Sequence, residues 1–414
     1  MRQRKAPHPW LFALTAIPYG VGGNFTSLLM PSFAEDAGYH LDKIGWFTTL
    51  LFVPTWVQFL YTPVIDLFGS RRNWLIGLAL LGALCFGGAC AIPLATHLTA
   101  FLGLAFVGQV ISGLVGSCNG ALMATTIPDE HRGSAGAAYN VGNISGGAVV
   151  AFALIWLHNV LEPWALSLIT VALMVGPSLA VLAIVPPADP TVPQAKRRAS
   201  ELWGPMLRDV RKVLLSKSGL TGILLMLSPV GTVALTNSFT GMKADYQTSA
   251  FAAGLVNGIV GAALTALGAS IGGWICDRQN RRAMYLLSGV LTAVVALAIA
   301  SQAPTREVYI IGVSAYNLVT GFCFAAFTAT VLETIGHGDA AAGTKYTLCT
   351  AAGNVAIAYV NFVDTRAYSH WSNSAQALFT CDALLNIGGA AILAFVFWRL
   401  GSFGASKHPP ELGV

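Results

Sequence analysis

The amino-acid sequence predicts an all-α membrane protein with twelve transmembrane helices in two parallel six-helix bundles. Hydrophobic residues make up 55% of the 414 residues and charged residues only 10%, whereas a soluble domain carries about 25% charged residues. The mean hydropathy is +0.65. Twelve apolar windows divide the chain, and its second half repeats features of the first. These observations favour a chain that lies in a membrane over a set of soluble domains.

Each window has about the 20 residues needed to cross roughly 30 Å of hydrocarbon. We number the windows as spans 1 to 12, near residues 10–33, 42–65, 73–93, 98–127, 133–158, 163–186, 218–241, 250–276, 281–303, 307–334, 340–365 and 374–400. Basic residues precede span 1 as in a signal peptide, but the apolar run is too long for one. The predicted domains are a bundle over residues 1–186, a linker over 187–217 and a bundle over 218–414.

The two halves are related by an internal duplication. Three features recur at one offset of 211 residues: Pro18-x-Gly20 as Pro229-x-Gly231, Asp66 as Asp277, and Gly142-Asn143 as Gly353-Asn354. Such repeats are typical of secondary transporters, whose substrate site lies between two related halves near mid-depth in the bilayer.

The basic residues predict the orientation of the chain. Of the 23 Lys and Arg residues, 19 lie at the termini, in the linker or in the loops on the same side. The other side has four: Lys43, Lys243, Arg306 and Arg366. The positive-inside rule therefore predicts that both termini and the linker are cytoplasmic. Within the linker, apolar residues from Trp203 to Leu214 fall at helical spacing opposite basic ones, which predicts an amphipathic helix on the inner leaflet.

A charged motif occurs between spans 2 and 3 and again between spans 8 and 9. It consists of Asp66, Arg71 and Arg72 in the first half and of Asp277, Arg281 and Arg282 in the second. A carboxylate at a membrane boundary can lie against a helix N-terminus and an arginine, and both favour its charge. With twelve spans in two halves, these loops resemble the signature of the major facilitator superfamily. That resemblance implies a cytoplasmic latch that breaks when the transporter opens inward; the alternative is that the charges only set topology.

Proline and glycine residues predict interrupted helices in spans 1 and 7. The two segments run from Pro18 to Asn24 and from Pro229 to Ser238. Freed backbone groups at membrane depth need protein or a wet cavity beside them, and interruptions in matching positions indicate a site at mid-depth. The alternative is that the small residues allow close helix packing.

Amides and phenols in apolar helices are the candidate ligand contacts. An amide in hydrocarbon costs a few kcal/mol unless it finds a partner, so these side chains should face the bundle interior. They serve either as bonds between helices or as the lining of a polar, aromatic-rich cavity. The substrate-binding candidates are Tyr19, Asn24, Gln58, Asn119, Asn140, Asn143, Asn237, Tyr316, Asn317, Tyr346 and Asn354.

Span 12 contains a carboxylate, Asp382, with Asn386 one turn later on the same face. An intramembrane carboxylate is a functional candidate by default, and Asp382 is the predicted proton-coupling residue; a structural role is the alternative. Glu333 with Lys345, and Asp364 with Arg366, are possible ion pairs.

Two further motifs narrow the resemblance. Thr62-Pro63-Val-Ile-Asp66 and the loop Pro128 to Gly136 resemble the peptide–acetyl-CoA transporter family, which includes muropeptide and siderophore permeases. The muropeptide permease carries charges in its fourth helix, whereas residues 117–125 here have none. We therefore expect a proton-driven importer of a siderophore or its iron complex in a bacterial inner membrane. Muropeptide import and drug or metabolite efflux are the alternatives, and a non-transporting receptor is a third class.

Several classes are excluded by missing motifs. The sequence has no Walker loop, no zinc-ligand spacing and no nucleophile–base pair, so we expect neither an enzyme nor a bound cofactor or metal. The seven cysteines lie in apolar segments and are predicted to be core residues. The expected partners are a small-molecule substrate and the lipid bilayer, with no nucleic acid, and the protein is expected to be a monomer.

Overall fold

The computed structural model describes residues 7–39, 41–67, 70–184, 204, 207–208, 211, 215–239, 241–243, 245–335, 341–371 and 374–399. These residues form helices and connecting turns, with no β-strand among them. By length and composition, nine of the described helices can cross a membrane, and a bent pair in span 2 raises the number to ten. The predicted all-α membrane fold is confirmed.

Every predicted window of the first half contains helix. Span 1 comprises Leu11–Asn24, a π-helical turn Phe25–Leu29, and Met30–Asp36. Span 2 comprises Leu41–Trp56, Gln58–Tyr61 and Pro63–Leu67. Spans 3 and 4 are Arg71–Ala91 and Leu98–Thr126. Span 5 comprises Arg132–Asn140, a π-helical turn Val141–Gly146, and Gly147–His158, and span 6 is Pro163–Ser178 followed by a 3-10 turn Leu179–Ala183.

The second half follows the same order. Span 7 comprises Lys217–Leu227 and, after a break, a 3-10 turn Ala234–Asn237. Span 8 comprises Ala250–Leu255, a π-helical turn Val256–Val260, and Gly261–Cys276. Spans 9 to 12 are Arg281–Ala300, Arg306–Ile335, Ala342–His370 and Ala375–Arg399. The predicted amphipathic helix of the linker lies largely outside the described residues.

Span 1 is not interrupted at Pro18, contrary to the prediction. Helix Leu11–Asn24 passes through that proline, and the geometry departs from α-helical only at the π-helical turn beyond Asn24. The small residues serve close packing instead, because a Cβ at Gly20 would overlap the carbonyl of Asn143 in span 5. A Cβ at Gly142 would likewise overlap a backbone carbonyl of span 1. In this half the packing alternative therefore holds.

Span 7 is interrupted where the sequence predicts it. The break contains two residues with left-handed backbone, Gly231 at φ +65° and Val233 at φ +49°. The Gly231 N–H donates to Oδ1 of Asn386 in span 12, at 2.8 Å. The Tyr359 hydroxyl of span 11 donates to the carbonyl of Leu227, at 2.8 Å. Neighbouring helices thus satisfy two of the backbone groups that the break exposes, as membrane depth requires.

The buried core includes a cluster that joins the two halves. First-half residues such as Phe12 and Leu122 pack there with second-half residues such as Val331, Tyr346 and Cys349. Large apolar side chains instead cover the outside of the bundle, among them Trp156, Trp164, Phe395 and Trp398, each more than half exposed. Such an apolar exterior suits contact with lipid.

Candidate functional site

The carboxylates of the duplicated motif cap helices of the opposite half. Asp66 of span 2 accepts hydrogen bonds from the backbone N–H groups of Gly343 (3.2 Å) and Thr344 (2.7 Å), at the start of span 11. The Thr344 hydroxyl donates to the same carboxylate at 2.7 Å. Since the first N–H groups of a helix lack partners within it and carry partial positive charge, this is a favourable place for an anion.

Asp277 makes the reciprocal contact. It accepts from the backbone N–H groups of Gly133 (2.6 Å) and Ser134 (2.9 Å), at the start of span 5, and from the Ser134 hydroxyl. Each half therefore places one aspartate on a helix N-terminus of the other half. We call the end of the bundle that carries Asp66 and Asp277 the aspartate end.

The arginines of the motif form ion pairs with different carboxylates in the two halves. Arg71 lies 3.2 Å from Asp66, and Arg72 lies beside it, partly buried, at the start of span 3. In the second half, Arg281 and Arg282 pair with Glu333 at 3.5 and 3.6 Å. This corrects the predicted Glu333–Lys345 ion pair.

Arg132 adds a contact between the halves that sequence reasoning missed. Its side chain is only 2% exposed, and Nη1 donates to the carbonyl of Leu332 in span 10 at 2.8 Å. Its Nε lies 3.0 Å from Asp129, whose backbone carbonyl accepts from Arg281. In the sequence this arginine counted as a topogenic charge and as part of the loop motif from Pro128 to Gly136, and nothing in the pattern marks it as buried.

Three tyrosines from both halves pack together one or two turns inside the aspartate end. The rings of Tyr19 and Tyr139 are stacked with centroids 6.3 Å apart, and Tyr346 of span 11 meets Tyr139 edge-on at 6.2 Å. The cluster rests on span 4, where a Cβ at Gly116 would lie 2.9 Å from the Tyr19 ring. A Cβ at Gly120 would overlap the Tyr346 ring. The absence of side chains at these two glycines therefore makes room for the tyrosine rings.

Two predicted ligand contacts are bonds between helices of the first half. Asn119 donates to the Thr15 carbonyl (2.8 Å) and accepts from the Thr15 hydroxyl (2.7 Å). Gln58 donates to the Gly113 carbonyl (2.7 Å) and to the Ser117 hydroxyl (2.9 Å). Both amides are buried and tie span 4 to spans 1 and 2.

Two further polar side chains bind across the halves. Asn140 donates to the Phe324 carbonyl (3.0 Å) and the Thr328 hydroxyl (2.9 Å) of span 10. The hydroxyls of Ser117 and Thr347 lie 2.7 Å apart and join span 4 to span 11.

The symmetry-related amides Asn143 and Asn354 differ from the other candidates. Both side chains are half-buried in the middle of spans 5 and 11, and neither makes a hydrogen bond within the described part of the chain. By contrast, Asn24 donates to the Gly20 carbonyl of its own helix at 2.8 Å. Asn143 and Asn354 therefore keep the hydrogen-bonding capacity of their amides for a ligand.

The remaining candidates lie deep in the second half. Tyr316 is fully buried and meets the Phe239 ring edge-on at 5.1 Å. Asn317 is 8% exposed, and its amide nitrogen has no hydrogen-bond partner among the described residues. The side chain of Asn237 lies outside the described part of the structure.

Asp382 is fully buried in span 12 and accepts from Asn386 Nδ2 at 3.3 Å. Asp364 of span 11 is also buried, at 1% exposed. Its predicted ion pair with Arg366 does not form, because residues two apart on a helix face different ways. The Arg366 guanidinium lies instead over the Phe362 ring, 5.1 Å from its centroid.

Most hydrogen bonds between the halves lie at one end of the bundle. Among the described residues, those reported above lie within about three turns of the aspartate end. A further one, from the Ser145 hydroxyl to the Ala262 carbonyl at 2.7 Å, lies near mid-depth. The structure therefore has its halves joined at the aspartate end.

Comparisons with known proteins agree with this architecture. Anhydromuropeptide permease of Escherichia coli (strain K12) is 24% identical over 392 residues, which cover 89% of this chain and 77% of the relative. The human organic anion transporter MFSD10 superposes with a TM-score of 0.67 at 19% identity, over 93% of this chain and 98% of that one. The E. coli fucose:proton symporter superposes with a TM-score of 0.66 at 15% identity, over 93% and 97%. A sequence profile matches residues 12–361, and the chain therefore belongs to the Major Facilitator Superfamily.

Proposed function

We propose that this secondary transporter carries a small organic solute by alternating access, and that its conformation here is the one closed at the aspartate end. The observation that carries the proposal is the reciprocal capping by Asp66 and Asp277. Opening this end separates the halves and breaks both caps together. Each cap consists of charge-assisted hydrogen bonds to backbone N–H groups, which are about twice as strong as neutral ones.

The closed state must be stable enough to seal the pathway, but its stability relative to the open state must be small enough for the transporter to open. Solute binding shifts the equilibrium only by its difference in affinity for the two states. The motif residues Asp66, Asp277, Arg71 and Arg281 thus act as the gate, and the packed tyrosines add an apolar seal beneath it.

For the solute, we propose contacts from Asn143 and Asn354 at the centre of the two halves. Their half-buried, unbonded amides support this role. Tyr19 of span 1 is also half-buried, and we propose that its ring, stacked on Tyr139, contributes an aromatic surface to the solute site. The amides of Asn119 and Gln58 are committed to neighbouring helices, so we assign them a positioning role.

The aspartate end is the cytoplasmic end in this proposal. The excess of basic residues on that side supports it through the positive-inside rule. The relation to a permease of E. coli supports a location in a bacterial inner membrane.

For the substrate, we propose a muropeptide-type glycopeptide first. The anhydromuropeptide permease matches over 89% of the chain, which supports this class over the siderophore predicted above. Siderophore import is the second candidate. It is favoured by residues 113–126 of span 4, which carry no charged side chain for recognising a charged peptide.

Uptake into spheroplasts that express the chain tests both classes. Radiolabelled anhydromuropeptide should accumulate, and an unlabelled excess should compete, whereas iron-55 bound to a siderophore should not. Accumulation of the iron complex alone would replace the first candidate by the second. Transport of neither solute, in cells where the protein reaches the membrane, would contradict both substrates.

Variants of the central amides test the site itself. Asn143→Ala and Asn354→Ala should each raise the KM for uptake about fivefold, since a lost hydrogen bond is worth about 1 kcal/mol. Asn159→Ala is the matched control, because this exposed amide at the far end of span 5 bonds only its own helix. An unchanged KM in both central variants would remove these residues from the site.

A further inference from the structure

Two carboxylates lie at the same depth on adjacent helices of the second half. Asp364 lies six residues before His370, where span 11 ends, and Asp382 lies seven residues after Ala375, where span 12 begins. At about 1.5 Å per residue, both are roughly 10 Å below the connection of this helical hairpin. Both are buried in the bundle, at 1% and 0% exposed, and each lies within electrostatic range of the other.

The pair has no compensating positive charge. Neither carboxylate has an ion pair among the described residues, Oδ1 of Asp382 lacks a hydrogen-bond partner there, and Asp364 lies within hydrogen-bonding reach of the weakly polar Cys381 thiol. The titratable groups that face them from the packed helices are Tyr316 and Cys323 of span 10 and Cys381 of span 12. None of these groups is a cation.

The two carboxylates cannot both be ionised in this buried environment without a neighbouring cation. Burial of one bare carboxylate costs several kcal/mol, and a second like charge nearby adds to this cost. A single proton held by the pair removes one of the two charges and so relieves both the cost of burial and the repulsion. The two buried carboxylates, with no cation beside them in the described part of the chain, are thus a binding site for one small cation.

The pair is also connected to the break in span 7. Asn386 donates through Nδ2 to Asp382 Oδ2, and it accepts through Oδ1 from the Gly231 N–H. One amide therefore links a carboxylate of the pair to the point where span 7 departs from helical geometry. Movement of span 7 therefore changes the hydrogen bond between Asn386 and Asp382. Ionisation of Asp382 in turn changes the hydrogen bond between Asn386 and the Gly231 N–H.

We propose that Asp364 and Asp382 form a two-carboxylate site for one coupling proton, and that Asn386 transmits its occupancy to the break at Gly231. The proton binds from water when the pair is exposed and leaves to water after the halves have moved. This inference rests on the proposed transport function and names the driving ion and its site.

Infrared difference spectroscopy of the purified protein tests the site without any transport. As the pH rises, the wild type should lose one buried carboxylic-acid C=O band. Both Asp364→Asn and Asp382→Asn should shift that band in frequency and change the pH at which it is lost, because the proton is held by the pair. Asp245→Asn, a carboxylate in the loop before span 8, should leave it in place. A band that either single variant leaves unchanged in frequency and in pH dependence would overturn the shared site.

Transport in proteoliposomes tests the coupling. Each single variant should lose solute accumulation driven by a pH gradient while keeping exchange of labelled for unlabelled solute, and Asp364→Glu should restore part of the accumulation. Accumulation that follows a sodium gradient instead would overturn the assignment of the ion. Absence of both activities in the wild type would contradict the proposed function, and the infrared result would still decide whether the site exists.

Discussion

Replacing a capping aspartate by asparagine should open the aspartate end. Asp66→Asn keeps the shape of the side chain but removes the charge that faces the N-terminus of span 11. The amide oxygen can still accept one backbone N–H, whereas the amide NH₂ meets the second N–H donor and cannot accept from it. The contact with Arg71 loses its ionic character as well.

The size of the effect follows from these lost contacts. A hydrogen bond to a charged group contributes about 1.5–3 kcal/mol net, and the helix terminus adds about 0.3–1 kcal/mol. We take the total as about 2–3 kcal/mol, which raises the ratio of open to closed molecules about 30- to 150-fold. Asp277→Asn should have a similar effect, and the two variants should add, because the caps lie on different helices.

Thiol labelling of Cys349 measures this ratio. Cys349 is 3% exposed in the apolar cluster that joins the halves, so it reacts only when they separate. In a background without the other six cysteines, its labelling rate should rise by the factor given above in Asp66→Asn. The control Glu130→Gln removes an exposed carboxylate at the same end and should not change the rate. A rate in Asp66→Asn within about twofold of the wild type would refute the capping argument.

Three further perturbations test other parts of the structure. Gly120→Ala should force the neighbouring tyrosine ring from its place and destabilise the closed state by about 1–3 kcal/mol, measured as faster Cys349 labelling; Gly103→Ala, which faces open space on the same helix, should have no such effect. Asn386→Leu should leave the backbone of the span 7 break without its acceptor and cost about 1–3 kcal/mol, seen as a lower midpoint of thermal unfolding; an unchanged midpoint would mean that water replaces the amide. Glu333→Gln should lower the same midpoint, because it leaves two arginines without their carboxylate, and a rise would contradict the role of this ion pair.

The positions of the spans could be predicted from sequence to within a few residues in most cases. Predicted window 98–127 became helix Leu98–Thr126, and window 374–400 became Ala375–Arg399. This accuracy has a simple cause: hydrocarbon thickness sets the length of an apolar helix, and charged or proline-containing loops end it. The same principle does not predict that the helix of span 1 continues through Pro18 whereas the helix of span 7 ends before Pro229.

That difference depends on partners from distant parts of the chain. In span 7 the freed backbone groups find Asn386 and Tyr359. The first-half position that corresponds to Asn386 is Val175, which has no acceptor to offer. The sequence motif is therefore duplicated, but the environment that allows a break is not.

The site could be predicted by residue type but not by partner. Sequence reasoning placed Asp66 and Asp277 near helix N-termini, yet it could not tell that each would cap a helix of the opposite half. It also grouped amides with different surroundings together as ligand candidates. Only the structure shows that the amide of Asn119 is bonded to Thr15, whereas the amides of Asn143 and Asn354 make no hydrogen bond among the described residues.

Distance measurement between the halves provides the sharpest test of alternating access. Spin labels at Glu130 and Arg278, both exposed at the aspartate end of opposite halves, report their separation by double electron–electron resonance. The wild type without solute should show mainly a short distance, and Asp66→Asn combined with Asp277→Asn should shift the population to a longer one. A single distance that neither the variant nor the solute changes would contradict the account that the caps hold two moving halves together.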